Sequence, residues 1–209
     1  MAITEIVTNG QFENEPNLTS ITLPNVTTIG DSAFENSVLT ILDLPNATTI
    51  GKMAFYSSNL TTLNLPSVTS IGGFTFFNSH LTNLDLPNAI TIGDGVFVNL
   101  VLTSLNLPKA TSIGGGAFAS SVLTSLNLPN ITTIGDGAFT SSVLTSLNLP
   151  NVTSIGNNSF ENIENDHLTS VYLPSILIDI DDKKDLIFGT DNWNDIIFLT
   201  KEQYNNLSN

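Results

Sequence analysis

The chain repeats itself every 21 residues, and no other feature restricts its fold so strongly. Pro24, Pro45, Pro66, Pro87, Pro108, Pro129 and Pro150 are spaced by 21 without a slip, and Pro174 follows after 24. Ile-Gly pairs keep the period from Ile29-Gly30 to Ile155-Gly156, and a phenylalanine keeps it from Phe34 to Phe160. The unit reads L-T-x-L-x-L-P-N-[VA]-T-[TS]-I-G-x-x-A-F-x-x-S-x. One such unit is too small to bury its own apolar face. Neighbouring copies must stack, and a linear stack of identical units is a solenoid.

Each unit has a physical reading. In Leu123 to Leu128 the apolar and polar residues alternate as in a strand, with Leu126 and Leu128 on one side and Ser125 and Asn127 on the other. Pro129 has no N–H and ends the ladder. Ile131 to Ile134 is β-rich and predicts a second short strand. Gly135 predicts a sharp corner, and Asp136 to Phe139 a single helical or 3-10 turn that plants Phe139 in the core.

Leu144 to Pro150, Val152 to Gly156 and the recurring Ala-Phe pair resemble the leucine-rich repeat of the BspA-like bacterial surface antigens, also found in treponemal repeat proteins. The resemblance covers about residues 18–175. It implies a leucine-rich-repeat solenoid: a right-handed superhelix with a parallel β-sheet on the concave side, and short second strands and helical or 3-10 turns on the convex side. It also implies a surface-exposed binding or adhesion protein rather than an enzyme. Two departures stand out. The unit is two residues shorter than usual for the family. Where the family often carries Cys, three residues after the Phe, this chain has Ser37, Ser58, Ser79, Ser121 and Ser142.

The ends differ from the middle. Residues 1–17 form a degenerate first repeat, with Phe12 lying 22 before Phe34. Residues 18–160 hold the seven regular repeats. Residues 161–209 hold a final irregular repeat and a cap, with ten of the nineteen acidic residues and the only tryptophan, Trp193. A stack needs a polar end, and the three parts are expected to form one continuous domain.

Composition narrows the function. Only 11% of residues are charged and the net charge is −14. The five bases are all Lys. A nucleic-acid binder displaces phosphate counterions with cations, so that class is disfavoured, as are anionic membrane surfaces. With no cysteine, disulfide scaffolds, thiolate metal sites and Cys nucleophiles drop out. No apolar run approaches the roughly 20 residues of a membrane span, so no membrane insertion is expected. The first ten residues lack the basic and apolar regions of a signal peptide. The chain is therefore expected to be cytoplasmic if complete, and secreted or at the cell surface if it is part of a longer exported protein.

Nothing converges on catalysis, a metal or a cofactor. His80 and His167 both occupy the variable last position of a unit. Asp43 and Asp85 share a column two rungs apart, about 10 Å at the spacing of β-strands, with Asn64 between them; they read as a polar outward column. The run Asp179 to Asp185 suits hard oxygen ligation, but it lacks the glycine and terminal glutamate of a calcium loop and reads as a solvated acidic segment. Columns of threonine, one from Thr19 to Thr169 and one from Thr27 to Thr153, resemble the arrays of ice-binding solenoids, although high β-propensity explains them more simply.

Two surfaces remain as binding candidates. The outward column Asp43, Asn64, Asp85, Asn106, Asn127, Asn148 and Tyr172 forms a strip on the concave sheet. The position after the repeat phenylalanine brings Tyr56, Phe77 and Val98 onto adjacent rungs, with Phe74 and Leu100 nearby to extend an apolar patch. These rings either pack among themselves or contact a partner. The expected function is non-catalytic: a protein or glycan ligand bound at a cell surface, with weak self-association. An intracellular interaction scaffold is the alternative reading, and an ice-binding array a remote one.

Overall fold

The structure is a computed structural model and describes residues 5–163, 170–173, 187 and 197–198. Each regular unit makes one rung, carrying two short strands in all but the first, which carries one. In chain order these are β1 (Ile6–Val7), β2 (Thr28–Ile29), β3 (Ile41–Asp43), β4 (Thr49–Ile50), β5 (Thr62–Asn64) and β6 (Ser70–Ile71). There follow β7 (Asn83–Asp85), β8 (Thr91–Ile92), β9 (Ser104–Asn106), β10 (Ser112–Ile113) and β11 (Ser125–Asn127). The last are β12 (Thr133–Ile134), β13 (Ser146–Asn148), β14 (Ser154–Ile155), β15 (Ser170–Tyr172) and β16 (Ile197–Phe198).

The two-residue strands join in one eight-stranded parallel sheet, in the order β1-β2-β4-β6-β8-β10-β12-β14. Its register advances by one repeat per strand, as in Thr49 beside Ser70 and Ile50 beside Ile71. From β2 to β14 each of these strands turns its isoleucine inward and its Thr or Ser outward, while β1 buries Val7 and exposes Ile6. From β3 to β13 the three-residue strands turn their central residue inward, buried as Leu42 and Leu63 and partly buried as Leu105. Their parallel ladder is interrupted, into β3-β5, β7-β9 and β11-β13-β15-β16.

The third side of each rung departs from expectation. Among the described residues 5–163 there is no helical or 3-10 turn. The segment instead folds as consecutive β-turns, with Glu35 N–H donating to Ser32 O at 3.1 Å and Ser37 N–H to Phe34 O at 3.2 Å. Two positions per rung take left-handed φ, as at Ser32 and Asn36, both 53°. The intervening N–H groups point along the stack: Ser32, Phe34 and Asn36 donate to Lys52, Ala54 and Tyr56 carbonyls at 2.8, 2.8 and 2.9 Å. A helical turn would spend these donors within its own rung. The short repeat hands them to the neighbour, so all three sides of the solenoid are held by inter-rung hydrogen bonds.

The Ile-Gly glycine also works differently from a free corner. A Cβ on Gly135 would lie 2.5 Å from Gly115 N and 2.7 Å from the carbonyl carbon of Gly114. Glycine is required there because the previous rung's backbone occupies the space, not because φ is positive.

The core is a column of leucines and isoleucines beside a stack of eight phenylalanines from Phe12 to Phe160. Successive ring centroids are 4.9 to 5.9 Å apart. Ser37, Ser58, Ser79, Ser121 and Ser142 are buried beside them. The hydroxyls of four have no partner; that of Ser121 accepts from Leu123 N–H at 3.2 Å. Leu100 belongs to this buried column, at 2% exposure, and does not extend the surface patch as expected. A leucine filling the serine position gains burial only by pointing inward.

Of the cap expected over residues 161–209, the described parts continue the stack. Phe160 N–H donates to the carbonyl of the buried Ile187 at 2.9 Å, and β16 pairs with β15. Trp193, His167 and the acidic run 179–185 lie outside the described residues.

Candidate functional site

On the strip of three-residue strands Asp43, Asn64, Asp85 and Asn106 satisfy one another in two pairs. Asn64 Nδ2 donates to Asp43 Oδ1 at 2.7 Å, and Asn106 Nδ2 to Asp85 Oδ1 at 2.9 Å. Each bond spans a pair of strands that the backbone ladder also joins, β3 with β5 and β7 with β9. Further along, Asn127, Asn148 and Ser146 border a shallow depression of about 160 Å³. Asn148 Oδ1 is buried there without a hydrogen-bond partner, and the register sets Tyr172 beside Asn148.

The hydroxyls of the second threonine column are also spent on the stack. Thr48 Oγ1 donates to Thr27 O at 3.2 Å, Thr132 to Thr111 O at 3.0 Å and Thr153 to Thr132 O at 3.1 Å. His80 is exposed, with Nδ1 3.2 Å from Ser58 O. Asp43 and Asp85 each bond a different asparagine, and no reacting centre forms between them.

The turn side carries the aromatic group. Stacking of equivalent positions lays Tyr56 flat against Phe77, with centroids 5.0 Å apart and planes 4° from parallel. Phe74 meets Phe77 edge-on, with centroids 6.2 Å apart and planes at 60°. Val98 follows Phe77 on the next rung, joined by Asn78 N–H to Val98 O at 3.3 Å. Tyr56, Phe77 and Val98 are half-buried, whereas Phe74 is exposed at 45%. The structure thus brings together Tyr56, Phe74, Phe77 and Val98 as one patch.

Phe74 is unusual in what it places on its backbone. It sits at φ 57°, in a column that Ser32, Met53 and Asn158 also hold left-handed and that Gly95, Gly116 and Gly137 fill on the other rungs. A left-handed conformation costs a side-chain-bearing residue about 1–2 kcal/mol, and for a bulky side chain it is an outlier. Thr75 holds the turn: its buried hydroxyl donates to Gly72 O at 2.7 Å and Gly51 O at 3.0 Å, where most rungs carry Ala or Val.

Beside Phe74 lies a cleft of about 390 Å³ that spans four rungs. Lys52 and Asp94 stand on either side of Gly73, and Thr91 and Ser112 of β8 and β10 line the floor. Asp94 Oδ1 accepts the Gly115 N–H at 2.8 Å, as Asp31 does from Lys52 and Asp136 from Asn157. Gly73 has no side chain to make this contact, and its absence opens the notch. Residues Lys52, Gly73 and Asp94 were not singled out by sequence reasoning. The legible signal is a local exchange: the rungs at 94–95 and 136–137 read Asp-Gly, and this one reads Gly73-Phe74.

Three inter-rung hydrogen-bonded sides around a leucine and phenylalanine core define a leucine-rich-repeat solenoid. The chain belongs to the BspA-type leucine-rich repeat family, whose repeat region matches residues 5–121 and 111–204 in six copies. Comparison with curated proteins gives no match. Among solved structures the chain is similar to a leucine-rich repeat protein from Bacteroides ovatus, at 24% identity and TM-score 0.70, over 80% of this chain and 46% of that one. It is similar to a leucine-rich cell surface protein from Faecalibacterium prausnitzii, at 23% identity and TM-score 0.60, over 82% and 59%. A leucine-rich repeat protein of T. pallidum aligns at 19% identity and TM-score 0.51, over 81% and 82%. The chain thus spans less than two thirds of the first two relatives.

Proposed function

We propose that this chain is a non-catalytic binding module that engages a protein or glycan at a cell surface, with Tyr56, Phe74, Phe77 and Val98 as its principal contact. One observation carries the reading. Phe74 keeps a strained φ of 57° while leaving 45% of itself in solvent. The left-handed φ belongs to the turn of every rung, but a bulky ring is the costly residue to carry it, and strain of that kind clusters at functional sites. The strip from Asp43 to Tyr172 is the weaker contact, because its Asp–Asn pairs already satisfy each other. The likeness to a surface protein supports a location outside the cell. The alternative, an intracellular scaffold, would use the same patch; labelling of intact cells with a membrane-impermeant reagent separates the two.

The test replaces Tyr56 and Phe77 together by Ser. Binding to a panel of purified glycoproteins and free oligosaccharides is measured by interferometry, and self-association by sedimentation. Loss of binding in a chain that keeps its β-type circular dichroism supports the reading. Unchanged binding and association, with only a lowered melting temperature, would show that the rings serve the core.

A further inference from the structure

We propose that the cleft beside Phe74 is a subsite for an uncharged pyranose residue of a glycan. The proposal rests on the reading of the chain as a binding module and names the ligand class of that site. Two adjacent departures from the repeat build it. Gly73 lacks the side chain with which Asp31, Asp94 and Asp136 bridge rungs, which opens the notch, and Phe74 raises an aromatic wall where Gly95, Gly116 and Gly137 have none. The ring lies over Gly95, where a Cβ would run into it. Thr75 anchors the turn from below through its two hydrogen bonds. The wall is thus set in advance of any ligand.

The chemistry of the lining selects among ligands. Lys52 offers an ammonium that makes no hydrogen bond or ion pair among the described residues. Asp94 keeps Oδ2 as an acceptor while Oδ1 holds the Gly115 N–H. Thr91 and Ser112 add hydroxyls that donate and accept. A cationic side chain would meet the Lys52 ammonium. An anionic sugar would meet Asp94 and a net charge of −14. A neutral polyol satisfies both ends, and the apolar face of a pyranose fits a phenylalanine ring. The volume of about 390 Å³ lies within the roughly 300–1,000 Å³ usual for small-ligand sites.

The experiment uses the full chain on an array of neutral, sialylated and uronate-containing oligosaccharides. Titration calorimetry then follows with the methyl pyranoside of the best-bound residue. The expected result is selective binding of neutral glycans, weakened about tenfold or more by Phe74→Gly and likewise by Lys52→Ala. Phe74→Gly installs the residue found at Gly95, Gly116 and Gly137, and a matching melting curve verifies folding. The proposal is overturned by absence of neutral-glycan binding, by preference for sialylated or uronate chains, or by binding that survives Phe74→Gly. If any of these occurs while Tyr56→Ser with Phe77→Ser still abolishes partner binding, the sugar assignment fails and the binding-module reading stands.

Discussion

Gly135 sits so close to Gly115 that a methyl group on its α-carbon would lie 2.5 Å from the Gly115 nitrogen. The contact is backbone against backbone, so nothing can rotate away. Gly135→Ala is expected to destabilise by roughly 3 kcal/mol, the upper range for overpacking a well-packed site. Gly116 faces open space and differs only in its φ of 59°. Gly116→Ala is expected to lose about 1–2 kcal/mol, the left-handed penalty alone. Urea midpoints of the two variants at equal m-value check the order.

The buried serines offer a change of the opposite sign. Ser58 Oγ is buried without a partner, whereas Ser121 Oγ accepts the Leu123 N–H. An unpaired buried hydroxyl costs about 1–3 kcal/mol. Ser58→Ala is expected to raise stability by about 1 kcal/mol, and Ser121→Ala to lower it or leave it unchanged. A thermal melt in which both shift the same way would contradict the assignment of these hydroxyls.

The phenylalanine stack carries much of the rung-to-rung burial. Phe139 is fully buried between Phe118 and Phe160, with centroids 5.2 and 5.3 Å away. Truncating a buried phenylalanine costs about 3–5 kcal/mol, and here it breaks two stacking contacts at once. Phe139→Ala is expected to lose hydrogen-exchange protection first at the neighbouring rungs, because each rung touches only its neighbours.

Phe74 should behave unlike any other ring. Replacing it by glycine relieves about 1–2 kcal/mol of backbone strain and forfeits the packing of a ring that is 45% exposed. The two nearly cancel. Phe74→Gly is expected to shift stability by less than about 1 kcal/mol, measured by denaturant titration. A loss of the size expected for Phe139→Ala would place Phe74 in the core.

Much of the fold is legible in the repeat because stacking turns sequence period into spatial adjacency. A column of Phe34, Phe55 and Phe76 in the sequence becomes a column of rings, and Tyr56 must fall beside Phe77 once the register is one repeat per rung. Leu126 and Leu128 share a buried side for the same reason.

What the period alone determined is the parallel solenoid, its apolar columns and the aromatic neighbours on adjacent rungs. Three things were decided only in the tertiary structure. The turn side became a ladder of β-turns rather than helical turns, because the N–H groups of residues such as Ser32 and Phe34 found acceptors on the next rung. The repeat glycines proved to be sites of backbone contact. The cleft at Lys52, Gly73 and Asp94 arose between residues of three different repeats. A cleft depends on which side chain is missing and where the neighbours' chains then project. Distances of that kind are set by packing between rungs, and no single copy of the repeat contains them.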